Sequence, residues 1–486
     1  MLTYSFENLG GDAMYTYLYK CMRADIMSGA LSKGERLPSK RTFARHLGVS
    51  TITVENAYAL LQTEGYIYSE PKRGYFVSDI QKPFGSAGSP QKRSSGMETG
   101  PDYTENKRPD DNVNGCVGQN DPAPEWYADF SSNQTRPENF PFSVWTKLNR
   151  QVMADQGAHL LQNPPGGGVY ELRAAIAAHL RDFRDMHVSP EQIIVGAGTE
   201  YLYGMLIQLL GFDSIYAMED PGYQKIGNIY EAHGVSCRYI ELDRCGMRPE
   251  LLEDSGANVI HISPSHHFPT GITMPISRRY ELLGWAARAE GRYIIEDDYD
   301  SEFRMSGKPI PTLQSIDRND QVIYINTFTK SLASTIRISY MVLPEPLLEK
   351  FRRRLGFYSC TVSNFEQYTL AAFIRDGYYE KHINRMRSSY RRKRNALLDA
   401  IAGSPLADMV TISEEDAGLH FLMHVDTGLE DEQIIERAAQ RGIRITSLAH
   451  YYHCAGAVSE HTFVINYSNI EEDRIREAVQ SLYGVF

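Results

Sequence analysis

Two folded units joined by a polar segment are predicted from this sequence. The first is a small head of helices closed by two short strands, residues 1–78. The second is an α/β body with a largely parallel sheet, residues 125–486, whose last part, about 341–486, reads as a smaller α+β subdomain. Three observations carry this reading. Helical periodicity gives way to two alternating strands before residue 78. Residues 79–124 are dominated by Ser, Gly, Pro, Asn, Asp and Lys and almost lack apolar side chains. Beyond Trp126, short apolar runs alternate with helical patterns, which is how a parallel sheet with crossover helices is written.

In the head, Tyr15, Leu18, Tyr19, Met22 and Ile26 recur at helical spacing over 12–28. Gly34 and Pro38 interrupt the pattern, Ser39 is placed to cap a helix from Lys40 to Leu47, and Gly48 makes the turn. Ser50 caps a second helix, Thr51 to Glu64, with Val54, Ala57, Leu60 and Leu61 facing inward, and Gly65 ends it. Tyr66–Ser69 and Tyr75–Val77 alternate like strands around Pro71-Lys72-Arg73-Gly74. The polar segment of roughly 45 residues has, as a coil, an r.m.s. span of about 35–40 Å, enough to separate two domains or to pass one to a partner subunit. In the body, Leu172–Phe183 is helical, and Ile193–Val195, Val259–Ile262, Tyr293–Ile295 and Val322–Ile325 are strand-like. Gly418–Met423 and Phe463–Tyr467 supply strands to the last portion.

At 486 residues the chain is long enough to bury sizeable cores. No apolar run reaches the ~18 residues of a membrane span, and the N-terminus lacks a secretory pattern. The six Cys (21, 116, 237, 245, 360 and 454) show no CxxC spacing, as expected of free thiols in a reducing cytoplasm. His450-Tyr451-Tyr452-His453 lacks the spacing of a helical metal pair, and no metal site is expected. The net charge of −11 alone argues against nucleic acid, but its distribution does not. Residues 1–78 hold nine Lys and Arg against seven Asp and Glu, leaving −13 on the rest. A mildly basic head on an acidic body fits a DNA-contacting module attached to a domain that is not one.

The chemistry-bearing motif lies in the body. Ile295-Glu296-Asp297-Asp298-Tyr299 ends one strand in acid and Tyr; thirty-three residues after Asp297, a second strand ends in Thr327-Phe328-Thr329-Lys330-Ser331. This is what pyridoxal phosphate requires: a Lys to form the aldimine, a carboxylate to hold the pyridine nitrogen protonated, and hydroxyls for the phosphate. The phosphate carries close to two negative charges, so donors must converge on it. Gly196-Ala197-Gly198-Thr199-Glu200 opens a helix after a strand, where the backbone N–H groups of Thr199 and Glu200 point at such a group.

Residues Gly34 to Val54, followed by Glu64-Gly65-Tyr66, resemble the winged helix-turn-helix of GntR-type regulators. The second helix then puts Ser50, Thr51, Thr53 and Asn56 on or near its groove-reading face, with Ser39 at the start of the helix before it. Lys40, Arg41, Arg45, Lys72 and Arg73 are placed for phosphate, with Arg41 alternatively at a base edge. The family often has Arg where this chain has Thr51.

The body resembles the fold-type I pyridoxal phosphate enzymes of the aminotransferase class over roughly 125–486. The resemblance implies Lys330 as aldimine lysine, Asp297 on the pyridine nitrogen and Tyr299 on the ring oxygen. It further implies Thr327, Thr329 and Arg337 around the phosphate and Tyr223 stacked on the ring. Ser265 and His266, in the loop Ser263–Gly271, are then within reach of the ring hydroxyl. Together the two resemblances describe the MocR-type subfamily of GntR regulators, which implies a cytoplasmic homodimer, swapped head to tail, that binds an operator in double-stranded DNA.

Two departures shape the functional expectation. No Arg stands in Thr462–Tyr467, where aminotransferases usually clamp the substrate α-carboxylate, and Leu161–Gly166 lacks the Tyr that commonly reaches a neighbour's phosphate. Lys225 and Arg444 are the cations left for an effector. The sequence therefore reads as a regulator that senses pyridoxal phosphate, or an amine or amino-acid-like effector, rather than a physiological enzyme. An active aminotransferase using a 2-oxo acid as acceptor, with a residual head, is the alternative; a body serving only as a dimerisation scaffold is the third reading.

Overall fold

Capping and turn chemistry set the head. The computed structural model describes residues 4, 6, 13–70, 73–79, 126–133, 135–304, 310–416, 418–454 and 459–486. Apart from Asp79, the segment expected to be a linker lies outside these, as does Lys72. Helix α1 runs Met14–Ser28, α2 Lys40–Leu47 and α3 Thr51–Thr63. Ser39 and Ser50 cap α2 and α3 by accepting the amides of Thr42 (3.2 Å) and Thr53 (3.1 Å). Gly48, at φ 68°, supplies the left-handed turn between them. Strands β1 (Ile67–Glu70) and β2 (Gly74–Val77) pair antiparallel, Ile67 opposite Val77. Leu18, Met22, Phe43, Val54, Ala57, Tyr58 and Leu61 are fully buried between these elements.

In the body, β3 (Ala128–Asp129) precedes helices α4 (Phe142–Gln156) and α5 (Tyr170–Arg184). Then come β4 (Ile193–Gly196), α6 (Thr199–Leu210), β5 (Ile215–Asp220), α7 (Gln224–Ala232), β6 (Ser236–Asp243) and β7 (Gly246–Met247). Strands β8 (Val259–Ile262), β9 (Tyr293–Asp297), β10 (Val322–Thr327) and β11 (Ser339–Val342) complete an eight-stranded sheet of order β4-β11-β10-β9-β8-β5-β6-β7. The central strands β10, β9, β8, β5 and β6 are parallel. Strands β8 and β10 are buried at every position, because helices cover both faces. The parallel strands end together, at Asp220, Ile262, Asp297 and Thr327, and ligands of open α/β sheets bind at that edge.

A smaller antiparallel sheet, β12 (Val410–Ser413), β13 (His420–Val425), β16 (Thr462–Asn466) and β15 (Thr446–Ser447), forms the second layer of the body. Two features differ from the sequence-based division at about 341. Strand β11 spans that boundary and belongs to the large sheet, inserted antiparallel between β4 and β10. Early strand β3 pairs with β14 (Ile443–Arg444), so residues just past the polar segment join the later part of the chain. Neither pairing leaves a mark in local periodicity.

Head and body touch directly. The amide of Ile276, at the start of the helix Ile276–Ala287, donates to the Glu64 carbonyl at the end of α3 (2.9 Å). Two backbone groups that helix ends leave unpaired thus satisfy each other. A Cβ on Gly65 would lie 2.9 Å from the Cβ of Pro275, and the Tyr280 hydroxyl donates to Met27 Sδ (3.4 Å). Buried residues from Leu18 to Val77 are continuous with Met274, Ile276 and Tyr280 in one apolar cluster.

The Glu64 side chain is buried here, accepting from Tyr19 Oη (2.5 Å). Burial pushes its carboxyl up from 4.5 to about 7, against the pull of Arg23, Arg304 and Arg279. The folded state therefore favours the protonated acid. This contribution is fully present below pH 4.5 and lost as pH rises to about 7. Denaturant titrations of the wild type and Glu64→Gln between pH 5 and 8 should differ in slope, with at most about 3 kcal/mol less pH-dependent loss in the variant. Parallel pH profiles would contradict this.

Candidate functional site: a cofactor pocket and a DNA-reading head

The edge where the parallel strands end gathers most of the body residues expected from sequence. Asp297, last in β9, is buried, and its Oδ2 accepts from Tyr203 Oη (2.5 Å) with His261 Nε2 at 3.4 Å. Tyr230 Oη sits 2.7 Å from His261 Nδ1, fixing that ring from behind. Asp297 Oδ1 is buried with no partner among the described residues. A pyridinium N–H supplies the donor that this oxygen lacks, so the carboxylate fits the cofactor. Neighbouring Asp298 has its Oδ2 engaged by Arg184 and by Tyr324 Oη (2.7 Å), while its Oδ1, like that of Asp297, lacks a partner among the described residues. Asp297→Asn should therefore weaken cofactor retention by roughly tenfold or more, the loss of one charge-assisted hydrogen bond. Equilibrium dialysis would show it, and unchanged retention would shift the role to Asp298.

Lys330 lies in the turn after β10, where its Nζ donates to the Asn133 carbonyl (2.5 Å) and Thr135 Oγ1 donates to its carbonyl (3.0 Å). Burial pushes its amine down to about 8; Asp300 opposes the shift and Lys225 adds to it. A substantial neutral fraction near physiological pH suits a nucleophilic amine. Tyr299 Oη is 3.1 Å from His266 Nδ1, which also meets Asp300 Oδ2 at 2.8 Å. Burial beside Asp300 and Asp297 holds the Tyr299 hydroxyl well above its ordinary value, so it stays a neutral donor. Ser265 Oγ accepts from Arg184 (3.0 Å), placing it one step behind His266.

The phosphate side is built on the start of α6. Gly198, at φ 92°, brings the Arg337 guanidinium so close that a Cβ there would lie 2.4 Å from it. Thr199 follows as the first helical residue. Thr327 Oγ1 bonds Thr329 Oγ1 (2.8 Å) and accepts from Ser339 Oγ (2.8 Å). Glu200 binds Arg337 (2.8 Å) and Lys225, which hold its carboxyl below the ordinary value. An N-terminal helix turn, hydroxyls and a guanidinium form a cradle suited to a phosphate. Tyr223, 49 % exposed, stands at the rim, edge-on to Phe268 (5.7 Å). Phe268 in turn meets Tyr451 (5.2 Å). Lys225 is exposed near this mouth; Arg444, exposed on β14, lies 3.6 Å from Asp129. Asn133, Tyr203, His261 and Asp300 escaped the sequence reading. Only Tyr203 had a visible signal, one helical turn beyond Thr199.

On the head, Arg41, Arg45, Thr51 and Asn56 are exposed and Thr53 is half-buried. The Ser39 and Ser50 side chains are occupied as caps. Lys40 pairs with Glu55 (2.7 Å) and lies over the Tyr75 ring (5.4 Å). Arg73 pairs with Glu70 and stacks over Phe76 (5.7 Å) at the tip of the two-stranded wing. If Arg41 meets phosphate, Arg41→Ala should weaken binding nearly uniformly across sequences and lower the salt slope by about one. If it reads a base, about 1–3 kcal/mol of discrimination is lost at one position. Fluorescence anisotropy at several salt concentrations separates the two, and no effect on any duplex removes Arg41 from the interface.

A helix-turn-helix with a wing, joined to a pyridoxal phosphate-binding body, defines the class: a DNA-binding transcriptional regulator built on an aminotransferase fold. Residues 14–77 match the bacterial regulatory proteins of the gntR family, and residues 127–482 match aminotransferase class I and II. The chain is 37 % identical over 472 residues to the uncharacterized HTH-type transcriptional regulator YdeL of Bacillus subtilis, covering 96 % of each. It is 31 % identical to the probable rhizopine catabolism regulatory protein MocR of Rhizobium meliloti, covering 97 % of this chain and 94 % of that one. Among solved structures it is similar to the multiple substrate aminotransferase of Thermococcus profundus, with TM-score 0.65, 25 % identity, and 75 % and 91 % of the two chains covered. The chain belongs to the MocR-type subfamily of GntR transcriptional regulators, and its cofactor is pyridoxal phosphate. No helix among the described residues is long and apolar enough to cross a membrane.

Proposed function

We propose that this regulator senses pyridoxal phosphate, and an amine-bearing effector presented to it, through Lys330, and that occupancy of this site shifts the placement of the DNA heads. The carrying observation is the contrast between a fitted cofactor pocket and β16. Its residues Thr462, Phe463, Val464, Ile465 and Asn466 are all buried, and none is an Arg. A bidentate guanidinium–carboxylate pair contributes about 1.5–3 kcal/mol, so ordinary α-amino acids should bind weakly. An acid group placed near Lys225 or Arg444 is the favoured effector chemistry. When bound, the cofactor supplies an aldehyde carbon for the amine; the protein holds its ring with Asp297 and Tyr299 and its phosphate at Thr199, Thr329 and Arg337.

Coupling between two sites demands two states with different affinity. A homodimer would provide them. Phe142, Leu161 and Phe357 are 64, 80 and 78 % exposed, large apolar side chains of the kind that a subunit interface covers. The direct contact of head and body is compatible with a swap, because the same surfaces would then meet between subunits. The test is a titration of purified protein with common amino acids, following the visible absorbance and, in parallel, operator affinity. Spectral response without keto-acid release, accompanied by altered DNA affinity, is expected. Saturable conversion of a standard α-amino acid to its keto acid would restore the enzyme reading.

A further inference from the structure

The exposed face of α3 has a distinctive composition. Its exposed positions are Thr51, Ile52, Glu55, Asn56, Ala59, Gln62 and Thr63, one stripe of the helix, while Val54, Ala57, Tyr58, Leu60 and Leu61 are buried. Ile52, in the first turn, is 67 % exposed, against 47 % for Met14 and 42 % for Tyr68, the other large exposed apolar side chains among the described residues of the head. A single exposed apolar residue is ordinary on a protein surface. The composition around this one is not ordinary for a DNA-reading helix. No Lys or Arg lies on the stripe, and its only charge, Glu55, is tied to Lys40 at 2.7 Å. The basic side chains Arg41 and Arg45 lie on α2, and Arg73 lies on the wing.

The major groove shows each base pair a different edge. Guanine is read mainly by Arg or Lys on O6 and N7, adenine by Asn or Gln on N6 and N7, and thymine by apolar contact with its methyl group. The N-terminal part of the second helix is the part that approaches those edges. The α3 stripe offers Asn56 and the apolar Ile52 and Ala59 on its N-terminal two turns, and none of the Arg or Lys that mainly reads guanine. Backbone affinity is then left to α2 and the wing.

We infer that α3 reads an A·T core in each operator half-site, with Ile52 against a thymine methyl and Asn56 on an adenine. This rests on the DNA-binding reading and adds to it the class of base recognised and the residues that recognise it. Thr51, beside Ile52, presents a further methyl to the same groove wall.

The experiment uses the full chain and a random-sequence duplex library. After repeated selection, each thymine of the enriched duplex is replaced singly by deoxyuridine, which removes only the methyl group, and affinities are read by fluorescence anisotropy. At least one thymine per half-site should show a loss of about fourfold, the equivalent of one buried methyl. Ile52→Ala should bind the thymine and uracil duplexes equally. Asn56→Ala should lose roughly tenfold of its preference at one adenine. A G·C core, insensitivity to every methyl deletion, or intact discrimination in Ile52→Ala would overturn the inference and leave the DNA reading standing. Failure to enrich any duplex would overturn both.

Discussion

Lys330→Ala is expected to release the cofactor completely on dialysis while leaving the fold in place. The side chain is anchored by one hydrogen bond, to the Asn133 carbonyl, in a turn beyond β10, and it belongs to no apolar cluster. Its loss should cost less than about 2 kcal/mol of stability. What disappears is the only described amine whose surroundings, burial and the nearby Lys225, bring it down to about 8 within the pocket. Wild-type protein should retain a visible absorbance band through dialysis; the variant should not, and its operator affinity should stop responding to added pyridoxal phosphate. Lys330→Arg keeps the charge but cannot form the bond, and should behave likewise. Attachment by the wild type should quicken as pH rises through about 8, where the amine loses its proton. A variant that keeps the same band would refute the assignment.

Arg279→Ala should strongly destabilise the body. The guanidinium is fully buried and donates to the carbonyls of Met274 (3.1 Å), Pro311 (2.6 Å) and Pro264 (2.8 Å), with Glu296 Oε1 at 3.7 Å. Glu296, itself fully buried, accepts the amides of Leu313 (2.9 Å) and Gln314 (3.0 Å), and burial pushes its carboxyl up to about 7. Removing only the cation leaves three carbonyls and a carboxylate without it, a loss of about 3–5 kcal/mol. A urea titration should show a lower midpoint with an unchanged slope. Arg279 shares its helix with Ile276 and Tyr280, which touch the head, so limited proteolysis should release the head more readily. A midpoint within error of wild type would contradict the buried network.

Much of this was legible because it is local. Ser39, Gly48 and Ser50 write their own caps and turn, and α2 matches its expected span. The strands ending at Asp297 and Thr327 announce themselves by continuous apolar runs, so Lys330 and its carboxylate could be found together. What stayed hidden depends on register across long separations. Tyr203 meets Asp297 across 94 residues, and Asn133 meets Lys330 across 197. No periodicity encodes which strand β11 will lie against. Ile52 differs: the sequence reading assigns it neither to the inner face of this helix nor to the groove-reading face, and the structure leaves it exposed in the first turn of α3.

The joint between Glu64 and Ile276 also governs how the molecule can be taken apart. A fragment ending near residue 79 has a sensible covalent boundary, but it strips Pro275, Ile276 and Tyr280 from Gly65 and Met27. The excised head would then show water an apolar seam that the intact chain hides, and sticky fragments can cluster on DNA for reasons unrelated to the operator. Conversely, a protease cut within 80–125 need not scatter the pieces, since seam and hydrogen bond persist without the tether. Affinities measured on a truncated head are therefore not those of the head in its setting.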